Sequence, residues 1–65
     1  MNGRQATRIV RRLERKGWSV AEVAVRVRCT VSTIYGWAKH PKRKLTLALS
    51  ENLRDAWEDV RDGKE

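Results

Sequence analysis

The sequence predicts an all-α fold of four short helices. Three observations lead there: apolar residues recur at spacings of three and four along most of the chain, helix-capping residues stand ahead of two of those runs, and no segment sustains the strict alternation of a half-buried strand. Sixty-five residues hold one domain, 1–65, with a single small core that buries about 60% of the unfolded chain's surface.

The first helix is expected at about residues 4–16. Ala6, Ile9, Val10 and Leu13 form a narrow apolar stripe, Arg4, Arg8, Arg11, Arg12, Arg15 and Lys16 fill the remaining surface, and Gly17 stands where a left-handed C-terminal cap is wanted. The second, 20–27, opens on a capping box, Ser19 with Glu22 three residues later. Trp18 and Val23 occupy the two positions of a hydrophobic staple around it, and Ala24 and Val27 continue the buried face.

The stretch "RCTVSTIYGWAKH" is rich in residue types enriched in sheets. As a strand it would put Val31, Thr33 and Tyr35 on one face and Ser32, Ile34 and Gly36 on the other, and neither face is consistently apolar. As a helix over 31–39, capped by Thr30, it buries Ile34, Trp37 and Ala38 and leaves Val31, Ser32, Tyr35 and Lys39 outward. The helix has something to bury and the strand does not. His40-Pro41 ends it, because a residue before proline avoids the α region. "HPKRK" is then a basic loop, and Leu45, Leu49, Leu53, Ala56, Trp57 and Val60 mark a fourth helix at about 46–62. Thr46 and Ser50 could each cap it, and the terminal "DGKE" is expected to fray.

Fifteen Lys/Arg against eight Asp/Glu give a net charge of +7. The charge is unevenly placed: residues 1–44 hold twelve basic and two acidic side chains, whereas residues 45–65 hold three basic and six acidic. A field of that strength over the first two thirds attracts polyanions, nucleic acid first among them. A membrane partner is not expected, since no apolar run approaches the length of a span and the bulky apolar residues are committed to the core. No signal-peptide core follows the basic start, so the expected location is cytoplasmic. One cysteine and one histidine offer no disulfide, no metal-ligand cluster and no acid–base constellation, so neither a metal, a cofactor, a small-molecule ligand nor an enzyme is expected. Cys29 reads as a small buried hydrophobe and His40 as a helix-end residue.

Residues 20–39 resemble the helix-turn-helix of the Cro and λ-repressor-like family of small phage and bacterial transcription regulators. Ala24 matches the small residue where the two helices cross, Val23 and Val27 its apolar flanks, Cys29 the apolar turn position, and Ile34 and Trp37 the buried face of the recognition helix. "TVSTIYGWAKH" looks like the family's Ser-x-x-Thr-Ile-x-x-Trp run. Arg28 departs from the pattern by standing where glycine usually accommodates a left-handed turn; arginine there costs about 1 kcal/mol, or the turn is modified or one residue longer. Similar small domains also occur among anti-CRISPR-associated regulators and other phage-borne repressors.

The resemblance implies a small four-helix helix-turn-helix DNA-binding domain whose recognition helix, 31–39, enters the major groove of double-stranded DNA. Val31, Ser32, Tyr35 and Gly36 are then the base-reading candidates: Val31 for a thymine methyl, Ser32 for a base edge, and Tyr35 for a base or phosphate. Gly36 either permits close approach of the backbone to DNA or is ordinary tolerance. Phosphate contacts are expected from Thr30, Thr33, Lys39, Lys42, Arg43, Lys44 and Arg28, with some of Arg4, Arg8 and Arg26 joining them, and Thr30 also reads as a plain cap. The base-reading set lacks Arg, Gln and Asn, so hydroxyl, apolar and shape readout must carry more of the specificity.

The fourth helix has more apolar surface than the core obviously needs. Either it covers the first two helices, chiefly through Leu45, Leu49 and Leu53, or Leu53, Trp57 and Val60 form a homodimer interface rimmed by Asp55, Glu58, Asp59 and Asp62 pairing with Arg54 or Arg61. The resulting expectation is a phage- or bacterium-encoded, nucleoid-associated repressor that binds a palindromic operator as a homodimer. The alternative is a protein-interaction module of antitoxin or anti-repressor type that uses the Trp57 surface, with DNA binding secondary.

Overall fold

A computed structural model describes residues 1–63, and the chain is all-α: α1 (Gly3–Arg15), α2 (Val20–Val27), α3 (Val31–Lys39) and α4 (Leu47–Gly63). The fraying expected of "DGKE" falls in part on residues 64–65, outside the described residues, while α4 continues to Gly63.

Each helix starts where a side chain takes up its free N–H groups. For α1 that residue is Asn2, whose Oδ1 accepts from the Gln5 amide at 2.9 Å while the Asn2 amide donates to Gln5 Oε1 at 3.0 Å. The box starts α1 at Gly3, one residue ahead of the start that the apolar stripe predicts. In α2 the Ser19–Glu22 box closes at 3.1 and 2.8 Å, and in α3 Thr30 Oγ1 accepts from the Thr33 amide at 3.2 Å. Between the two expected caps of α4, Thr46 serves, accepting from the Leu49 amide at 3.2 Å, and Ser50 is buried in the second turn.

The two inner helix ends share one device. After α1, Gly17 takes a positive φ of 102°, and its amide and that of Trp18 donate back to Glu14 and Leu13. After α2, Arg28 itself takes the left-handed conformation, φ 68° and ψ 48°, while the Cys29 amide reaches Ala24 O at 2.9 Å and the Arg28 amide reaches Val25 O at 3.2 Å. The departure at Arg28 therefore leaves a three-residue turn, Arg28–Cys29–Thr30, intact; the arginine backbone takes the left-handed conformation and the turn is not lengthened.

All four helices feed one core: Ala6, Val10 and Leu13; Val23, Ala24 and Val27; Ile34 and Trp37; Leu53 and Ala56. Ala38, expected on the buried side of α3, is exposed, because Ile34 and Trp37 already fill that face and Ala38 lies on its flank. α4 packs against α1 and α2 and not against α3. Asn52 fastens it there, its Nδ2 donating to the last carbonyl of α2, Val27 O, at 2.9 Å.

The loop between α3 and α4 is tied to the start of α1 by backbone alone. The Gly3 amide donates to Arg43 O at 2.8 Å, the Arg4 amide to Pro41 O at 2.9 Å and the Leu45 amide to Met1 O at 3.0 Å. The first two satisfy the N–H groups of α1 that the Asn2 cap leaves over. They also require glycine at position 3, where a Cβ would meet Trp37 O at 2.6 Å and His40 O at 2.7 Å.

Candidate nucleic-acid interface

The outward face of α3 follows from what it buries. With Ile34 and Trp37 in the core, Ser32, Tyr35 and Lys39 project from the opposite side, and Tyr35 is 62% exposed. Gly36 is half-buried on the same face, with open space where a Cβ would stand. Val31 is only half-exposed, since part of its side chain packs on the core, and it sits at the edge of the face.

Five of the residues singled out from the sequence come together. Ser32, Thr33 and Gly36 of α3 line one concavity with Arg43 and Lys44 of the loop, so cations stand directly beside the outward face. Thr33 lies on its rim, and its hydroxyl is 3.0 Å from that of Thr30, which joins both to the cap of α3. Thr30 and Arg28 are exposed in the turn before the helix, and Lys42 is exposed in the loop but does not line this concavity. Arg26 is drawn elsewhere: it forms an ion pair with Asp59 of α4.

On the far side, Leu53 is corrected. It is 0% exposed, enclosed by α1 and α2, so it serves the core and has no surface to offer a second copy. Trp57 and Val60 are half-buried beside it, and the Arg12 guanidinium lies 5.5 Å from the Trp57 ring centroid. Burial pushes the Cys29 thiol above its usual range, which suits a small packing residue rather than a reactive one.

Sequence reasoning missed Asn2, Gln5, Gly3 and Asn52. The N-x-x-Q spacing was a readable signal for the first two. Gly3 and Asn52 act on backbone groups distant in sequence, which no local pattern announces.

Helices α2 and α3, joined by a three-residue turn and set with an exposed second helix, define a helix-turn-helix. The family model of homeodomain-like domains matches residues 3–46, and the chain belongs to that family, a family of small helix-turn-helix DNA-binding domains. No curated protein and no solved structure matches the chain. Among the described residues no helix is long and apolar enough to cross a membrane.

Proposed function

We propose that the protein is a sequence-specific double-stranded DNA-binding transcriptional regulator, a phage-type repressor that occludes its operator as a homodimer. The observation that carries this reading is the outward face of α3, Ser32, Tyr35, Gly36 and Lys39, set beside Arg43 and Lys44 on a backbone-anchored loop. A helix presented this way fits the major groove, with hydroxyl and shape readout at its N-terminal half and phosphate contacts around it. Resemblance of residues 20–39 to Cro and λ-repressor-like proteins supports the repressor role. The protein then works in the cytoplasm, on the nucleoid or a phage genome.

A two-fold dimer would present two α3 helices to successive major grooves roughly 34 Å apart, on a pseudo-palindromic site. With Leu53 enclosed, Trp57 and Val60 are the remaining residues of the expected interface. They lie on a helix that packs away from α3, so pairing through them leaves the reading face free.

Titration against duplex DNA at two salt concentrations tests the reading. Lys42→Ala/Arg43→Ala/Lys44→Ala should weaken binding to every sequence, and Ser32→Ala should alter preference among sequences. Unchanged binding by both variants overturns the assignment of α3. Sizing in solution tests the dimer, and a heterologous protein bound through Trp57 in place of a second copy would favour the interaction-module reading.

A further inference from the structure

We propose that Arg4, Arg8 and Arg11 form a second phosphate-binding wall, contacting the DNA strand opposite the one met by Arg43 and Lys44. The inference rests on α3 being the groove helix and adds which strand each cationic cluster holds.

The three arginines are spaced four and three apart, so α1 presents them along one face. That face adjoins α3: Arg4, Thr7, Arg8 and Arg11 line an open concavity of about 280 Å³ together with Ala38 and Pro41. The other concavity, with Arg43 and Lys44, opens beside Gly36. At 3.6 residues per turn Ala38 and Gly36 point roughly 160° apart, and Ser32, Tyr35 and Lys39 all fall between them. The reading face is therefore bracketed by cations on both flanks. A major groove about 12 Å wide is filled by one helix with its side chains, which brings a sugar–phosphate wall against each flank.

Two other arginines are engaged within the fold. Arg12 and Arg26, which face α4, are engaged by the Trp57 ring and by Asp59. Arg4, Arg8 and Arg11 have no ion-pair partner among the described residues, so like charges one turn apart repel until a polyanion neutralises them. In the same concavity, the Thr7 hydroxyl is the one buried side-chain polar atom among the described residues with no hydrogen-bond partner.

The test uses a duplex bearing one half-site, selected from a random pool, with neutral methylphosphonate linkages placed in one strand or the other. Arg4→Ala/Arg8→Ala/Arg11→Ala should lower the slope of log K against log salt by about two to three, and the Lys version of the same variant should restore it. Neutralising one strand should weaken the wild type and the Arg43→Ala/Lys44→Ala variant but not the α1 variant; neutralising the other strand should reverse that pattern. An α1 variant with the wild-type slope, or two variants that lose sensitivity to the same strand, overturns the proposal and leaves the DNA-binding reading standing. A wild-type protein that binds no duplex overturns both. Circular dichroism confirms that the variants remain helical, as expected for exposed Arg→Ala changes.

Discussion

Gly36→Ala separates folding from reading in one substitution. Gly36 lies within α3, has no positive φ, and leaves nothing within 4 Å of the place a Cβ would occupy. Alanine there relieves the entropic penalty of a helical glycine without a clash, so the free protein should gain about 0.5–1 kcal/mol. For a domain of this size that corresponds to a rise in Tm of roughly 2–8 °C. On DNA the same methyl would stand between Ser32 and Arg43, in the concavity that opens beside the reading face. If the backbone at 36 approaches the groove, displacing it should weaken specific binding by about the worth of one base contact, 1–3 kcal/mol, or roughly 5- to 150-fold. Thermal melting of the free protein and a duplex titration therefore move in opposite directions. A raised Tm with unaltered affinity refutes close approach at Gly36, and a lowered Tm refutes the packing that leaves its Cβ direction open.

Three further outcomes follow from the fold. Gly3→Ala should destabilise by about 1–3 kcal/mol despite alanine's better helix propensity, because both atoms it meets nearest are backbone carbonyl oxygens of residues 37 and 40; denaturant unfolding reads this as a lower midpoint with unchanged slope. Arg28→Gly should raise Tm by releasing a left-handed arginine, a gain of about 1 kcal/mol, and should lower the salt slope on DNA by about one if Arg28 meets a phosphate. Asn52→Ala removes the donor to Val27 O and should cost about 1 kcal/mol in chemical denaturation, whereas Arg26→Ala, which breaks a pair 41% and 61% exposed, should cost under about 0.5 kcal/mol.

The helices were legible because their signals are local. Ser19 with Glu22, Thr30 ahead of Val31, and Gly17 after Lys16 each act within a few residues, and the structure has them capping as the spacing suggested. The same logic gave the α3 face, since Ile34 and Trp37 three apart leave little choice about what points away. It does not hold at Ala38, which is apolar but exposed on the flank of the buried face. Of the two roles that the spacing leaves open for Leu53, covering the first two helices or pairing with a second copy, the structure has the first, with α1 and α2 enclosing that side chain completely. The ion pair of Arg26 with Asp59 and the bond from Asn52 depend on how α4 crosses α2, a tertiary angle that periodicity does not encode. Of the set proposed to face DNA, the cations and the outward positions of α3 are readable from the sequence; the flank of α3 that each cluster occupies is not, because it depends on how α1 and the loop pack.

The bonds between residues 1–4 and 41–45 run from main chain to main chain, so no side chain of Lys42, Arg43 or Lys44 is needed to hold the segment in shape. Ser32, Tyr35 and Lys39 are likewise spared any part in the core. On the proposed DNA-binding reading, surface groups at those six positions can be exchanged on a frame that stays put, so redesign for a new site can begin there without first re-engineering the scaffold.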